Sequence, residues 1–126
     1  MILQLEKTKR APQVSFDPEK GSLEIIGRSI MENTVGFYSE ILEAILFYAQ
    51  KPCDLTTVKV HLDYFNTASS KSILEIFKKF EAIHKNGNNV EITWYFDEDD
   101  EDMIDAGEDY QAIVKVPFNI VSTELI

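Results

Sequence analysis

Two periodicities divide the chain. Val58, Val60, Leu62 and Tyr64 alternate with Lys59, His61 and Asp63, and Val90, Ile92, Trp94 and Phe96 alternate with Glu91, Thr93 and Tyr95. A period of two predicts strands with one apolar and one polar face. Residues 13–16 and 22–26 predict two more strands around Asp17-Pro18-Glu19-Lys20-Gly21. There the proline presets a turn and the glycine suits positive φ, so the pair reads as a hairpin. A weaker alternation at Ala112, Val114, Val116 and Phe118 predicts a last strand. Elsewhere the period lengthens. Residues 33–50 place Phe37, Tyr38, Ile41, Leu42, Ile45, Leu46 and Ala49 on one helical stripe, ended by Lys51-Pro52. Residues 69–85 do the same with Ile73, Leu74, Ile76, Phe77, Phe80 and Ile83, and stop at Asn86-Gly87-Asn88. A third, shorter helix is expected to start within 97–109, where carboxylates favour the positive end of a helix dipole.

The predicted order is β-β-α-β-α-β-α-β. Strand, helix and strand from Val58 to Phe96 form one crossover unit, so those two strands should be parallel. A sheet buried on both faces would show continuous apolar runs rather than alternation. The expected fold class is therefore α/β, a two-layer sandwich with a mixed sheet and its helices mainly on one face. At 126 residues the chain is one domain's worth, expected to span 1–126.

Composition adds a bound on partners. Acidic residues outnumber Lys plus Arg by 22 to 12, a net charge of −10. Nine of the 22 fall in DEDDEDMIDAGED at 97–109, and taking them away leaves 13 against 12. One acidic segment thus carries the imbalance. Such a surface repels phosphate backbones, so nucleic acid is an unfavourable partner. The one cysteine, Cys53, cannot close an internal disulfide, which fits a reducing cytoplasm. The longest apolar stretch, Ala44 to Ala49, is far short of the roughly 20 residues that span a bilayer, so no membrane insertion is expected. No signal peptide is visible at the N-terminus, and the expected location is cytoplasmic.

The informative stretch is Tyr64-Phe65-Asn66-Thr67-Ala68-Ser69-Ser70-Lys71, at the carboxyl end of a central strand and just before a helix. Such junctions gather free backbone N–H groups and suit anions, phosphate among them. Three hydroxyls lie within four residues. The plain alternative is capping, since Asn, Thr and Ser all cap helices; Ser69 and Ser70 are the better placed caps for the helix of Ile73 and Phe77.

A strand, then Asn-Thr, then an amphipathic helix resembles the core of STAS domains, the anti-anti-sigma class. A closer resemblance is to the SiaC family of bacterial regulatory phosphoproteins, and it runs through most of the chain in order. Pro12-Gln13-Val14 with Phe16-Asp17 comes first, then Gly21-Ser22-Leu23, then Gly27-Arg28-Ser29 with Glu32-Asn33. Leu62 to Lys71 follows, then Trp94-Tyr95-Phe96-Asp97, Asp102-Met103 and Gly107-Glu108-Asp109-Tyr110. Met31 stands where the family usually has proline; Asn33 can still cap the helix behind it. The resemblance implies a STAS-like partner switch with no cofactor. The unphosphorylated protein would bind and activate a diguanylate cyclase, or another signalling enzyme. A dedicated kinase would phosphorylate Thr67 and a PP2C-type phosphatase would reverse it. Asn66, Ala68, Ser69, Ser70, Lys71, Glu32 and Asn33 would surround the phosphosite and meet the partner.

Other chemistry has less behind it. Asp97, Asp99, Glu101 and Glu108 fall at positions 1, 3, 5 and 12 of a calcium loop. Position six is Asp102 where the turn needs glycine, and a strand rather than a helix precedes the loop. No metal is expected. His61 and His84 lie in different elements, and His61 and Asp63 read as a solvated pair on one polar face. No nucleophile elbow or glycine-rich phosphate loop is present, so an enzyme is not expected. Cys53 has no base nearby and reads as structural. Trp94, in register with Val90 and Ile92, reads as core. The competing function is a non-phosphorylated scaffold, or a small-ligand binder using the sheet's polar face.

Overall fold

The turn at Asp17–Gly21 forms as its sequence dictates. In the computed structural model, which describes residues 2–123, Gly21 has φ +67° and its N–H donates to the Asp17 carbonyl at 2.9 Å. A Cβ here would lie 2.7 Å from the Tyr48 hydroxyl and 2.9 Å from the Leu55 carbonyl, so glycine is required twice over. The turn joins β2 (Gln13–Asp17) to β3 (Ser22–Ser29), antiparallel, and a short β1 (Leu3–Leu5) adds to the outer side of β2. Beyond β3 the chain repeats one move: α1 (Thr34–Tyr48), β4 (Leu55–Phe65), α2 (Thr67–Lys85), β5 (Asn89–Phe96), α3 (Glu101–Ile113), β6 (Phe118–Ser122). The six strands lie in sequence order, with β3 to β6 parallel. Parallel crossovers take a right-handed path as a rule, so three that step the same way put their helices on the same face. Hence the strands alternate in burial. Leu23, Ile25, Val58, Val60, Ile92 and Trp94 are buried, whereas Glu24, Lys59 and Glu91 face solvent. This is the expected mixed sheet with helices on one side.

The core is closed by aromatic edges. Phe77 of α2 meets Trp94, Tyr110 and Phe118 edge-on at centroid distances of 6.4, 5.2 and 5.6 Å. Trp94 is fully buried, as its register indicated, and its indole N–H donates to the Met103 carbonyl at 2.9 Å. Gly107 lets α3 approach that ring; a Cβ there would sit 2.6 Å from Trp94 Cδ1.

Several sequence expectations need correction. The last strand is Phe118–Ser122, not 112–118. Ala112 and Ile113 finish α3, and the Lys115 N–H goes to the Glu81 carboxylate rather than to a neighbouring strand. The stripe of α1 is narrower than its sequence suggests, because Leu46 and Ala49 are exposed. His61 and Asp63 do not pair with each other. His61 Nε2 meets Asp97 at 3.1 Å and Asp63 meets Arg28 at 3.5 Å, since each finds its partner on a neighbouring strand or loop. Finally, α2 begins at Thr67, two residues earlier than expected, and β1 has too few residues to show a period.

Candidate functional site

The early start of α2 reassigns every hydroxyl at the junction. Asn66, not Ser69 or Ser70, is the N-cap: its side-chain oxygen accepts from the Ser69 N–H at 2.8 Å. Thr67 thereby becomes the first helical residue, and its side chain is exposed. Among the described residues its hydroxyl makes no hydrogen bond. Ser70 is half-buried, and its Oγ donates to the Thr67 carbonyl at 2.8 Å, closing the first turn on itself.

Ser69 turns inward and is fully buried. Its hydroxyl is one link of a chain of donors. Tyr38 meets Ser29 Oγ at 2.6 Å, Ser29 Oγ donates to Ser69 Oγ at 2.7 Å, and Ser69 Oγ donates to the Ser29 carbonyl at 2.9 Å. With the last two donors fixed, Tyr38 must donate to Ser29. The Ser29 carbonyl also accepts the Asn66 N–H at 3.1 Å. The end of β3, the body of α1 and the start of α2 are thus tied at one buried point. Met31 packs against it, its sulfur 3.7 Å from Ser29 Oγ. Burial pushes the Tyr38 hydroxyl up to about 12, against the opposing effect of its bond to Ser29, so it stays a donor at any ordinary pH. From the other side, the Tyr110 hydroxyl of α3 donates to the Ser70 carbonyl at 2.9 Å. Burial, chiefly, keeps that proton on as well.

Parallel pairing of β3 with β4 sets the starts of α1 and α2 side by side at the strands' carboxyl ends. Asn33 caps α1 as expected, accepting from the Gly36 N–H at 3.0 Å. Between the two helices runs an open groove of about 720 Å³. Thr67, Ala68 and Lys71 form one wall, and Val35, Ser39 and Leu42 of α1 form the other. Five of the eight residues singled out in the sequence therefore have clear positions here. Thr67, Ala68 and Lys71 line the groove, and Asn33 and Asn66 cap the helices that bound it. Ser69 and Ser70 are structural, and Glu32 is exposed beside the α1 cap. Sequence reasoning missed the roles of Ser29, Tyr38 and Tyr110. Ser29 and Tyr110 lay in quoted segments, but a hydrogen bond across 40 residues leaves no local pattern.

The fold is that of a small α/β domain, a mixed sheet with its helices on one face. Residues 5–123 match the family described as SiaC family regulatory phosphoprotein, and the chain belongs to that family. It is 27% identical over 121 residues to a protein of Pseudomonas aeruginosa strain UCBPP-PA14, covering 94% of each chain. The solved structure of SiaC from Pseudomonas aeruginosa superposes with a TM-score of 0.89 at 22% identity, over 97% of this chain and 98% of that one. SiaC in the crystal structure of the Pseudomonas aeruginosa diguanylate cyclase SiaD with its activator SiaC gives 0.90 at 23% identity, over 95% and 98%. Among the described residues, no helix is long and apolar enough to cross a membrane.

Proposed function

We propose that this chain is a phosphorylation-switched activator. Unphosphorylated, it binds a diguanylate cyclase through the junction and the α1–α2 groove; phosphorylated on Thr67 by a kinase, it lets go, and a PP2C-type phosphatase restores it. The observation that carries this reading is the contrast between two hydroxyls two residues apart. Thr67 is exposed on the groove's rim, whereas Ser69 is sealed in the core and out of a kinase's reach. The likeness to an activator crystallised with its cyclase supports the choice of partner.

The charge arithmetic supports a switch that spares the fold. A phosphate adds about −1.5 to −2 charges at neutral pH. On Thr67 it lies at the positive end of α2, a gain of about 0.3–1 kcal/mol. Lys71, exposed one turn on, adds a screened attraction of at most about 1 kcal/mol. A partner packed over the same spot would have to bury that charge without a new cation, at several kcal/mol. A loss of about 2.8 kcal/mol already weakens binding a hundredfold.

The test is a binding titration with the cyclase beside thermal unfolding of each form, after fragment mass spectrometry has located the phosphate. The phosphoprotein and Thr67→Asp should keep Tm within a few degrees and lose the cyclase; Thr67→Ala should keep both. Phosphate confined to Ser69 or Ser70, or a phosphoprotein that binds normally, would refute the reading.

A further inference from the structure

The first crossover starts at β3, so the β1–β2 hairpin at the sheet's edge brings no helix of its own. Helix α1 reaches over β2 as far as Phe16, through an edge-on contact with Tyr48 at 5.4 Å. Beyond that contact, toward β1, lies a trough of about 480 Å³ with an apolar floor and walls that include Leu3, Pro18, Ala44 and Phe47. Phe47 is 78% exposed and Ile2, which also lines the trough, is 60% exposed. Rings as bare as Phe47 mark interaction sites when they gather with other apolar groups around a groove. No residue of this trough lines the groove beside Thr67; the two lie on opposite flanks of α1.

The charges on the trough's rim are ordered. Glu40 and Glu43 stand at the end nearer the start of α1, and Lys51 stands past its finish. From Glu40 to Lys51 the rim runs about three helical turns, roughly 16 Å. A helix laid there antiparallel to α1 would put its first turn by Lys51 and its last by the two glutamates. Acidic first turns and basic last turns are also what a helix dipole favours, so trough and occupant select the same polarity.

We infer that this trough is a second docking site, independent of the phosphoswitch, for an amphipathic helix of another protein that is acidic in its first turn and basic in its last. It takes the place over β1 and β2 that the chain's own crossovers leave uncovered. Because the two sites share only the body of α1, a partner held here stays bound whether Thr67 carries phosphate or not.

The probe is a synthetic peptide of roughly four helical turns, with leucines on one stripe, glutamates in its first turn and lysines in its last. Its control has the same composition with the two charged ends exchanged. Wild-type protein should bind the first at least about tenfold tighter than the second. Phe47→Glu, on an exposed ring, should keep the unfolding curve and lose the first peptide. Glu40→Lys with Glu43→Lys should abolish the preference between the peptides, and Thr67→Asp should leave both affinities unchanged. Equal binding of the two peptides, binding of neither, or indifference to Phe47→Glu would overturn the inference. So would sedimentation showing that the chain self-associates through Phe47, since the occupant would then be a second copy.

Discussion

Removing the Ser29 hydroxyl should destabilise the domain more than removing it together with the group it serves. Ser29→Ala takes away the acceptor of the Tyr38 hydroxyl, which is 1% exposed and has no other hydrogen bond among the described residues. An orphaned buried donor costs about 1–3 kcal/mol. Ser69 loses the bond it accepts but keeps the one it donates to the Ser29 carbonyl, for a further cost of about 0.5–1 kcal/mol. The total is about 1.5–4 kcal/mol, or a fall in Tm of roughly 6–15 °C for a domain of this size. Tyr38→Phe alone leaves Ser29 still donating to Ser69 and should cost about 0.5–1.5 kcal/mol. Adding it to Ser29→Ala removes the orphan, so the double variant should be more stable than Ser29→Ala by itself. Urea unfolding followed by the fluorescence of Trp94, the chain's one tryptophan, reads all four proteins. A double variant less stable than Ser29→Ala, or a Ser29→Ala protein within about 0.5 kcal/mol of wild type, would refute the donor chain as drawn.

Gly107→Ala should cost about 1–3 kcal/mol and shift Trp94 emission, because the new methyl meets the indole at 2.6 Å; an unchanged spectrum and Tm would contradict that packing. Glu81 is held below the ordinary carboxyl value of 4.5, chiefly by the Lys115 N–H and then by Lys78 and Lys85, with burial opposing. The unfolded chain therefore takes up this proton first. Glu81's contribution is full above that ordinary value and is lost as pH falls through the lower folded one, so wild type should shed more stability than Glu81→Gln on acidification. Parallel unfolding curves for the two at every pH would exclude it. Calorimetric titration with calcium should show nothing tighter than about millimolar. Asp100 already caps α3, Asp97 meets His61, and among the described residues no three His, Cys, Asp or Glu side chains could hold a metal ion. A stoichiometric micromolar site would prove otherwise.

The family resemblance and the alternation of β4 and β5 were both legible in the sequence, and the alternation alone foretold a sheet covered on one face. Period reports which side of an element is apolar, and that is a local property. So are the proline and glycine that bend the chain between β2 and β3. Even the misread strand at 112–118 had a true signal in it: Val114 and Phe118 are buried around an exposed Lys115, as extended backbone requires. What sequence could not say is that the Lys115 N–H is spent on Glu81, 34 residues away, so that no ladder forms there. The junction shows the same limit. Asn66, Ser69 and Ser70 are all competent caps, and the local pattern favoured the two serines for the helix of Ile73 and Phe77. The order was settled by Ser29 and Tyr38, which offered Ser69 a buried partner and drew it inward. That left Asn66 to cap the helix and Thr67 to face solvent. Periodicity decides which residues are candidates; a hydrogen bond between distant segments, worth most where water is excluded, decides which of them is exposed.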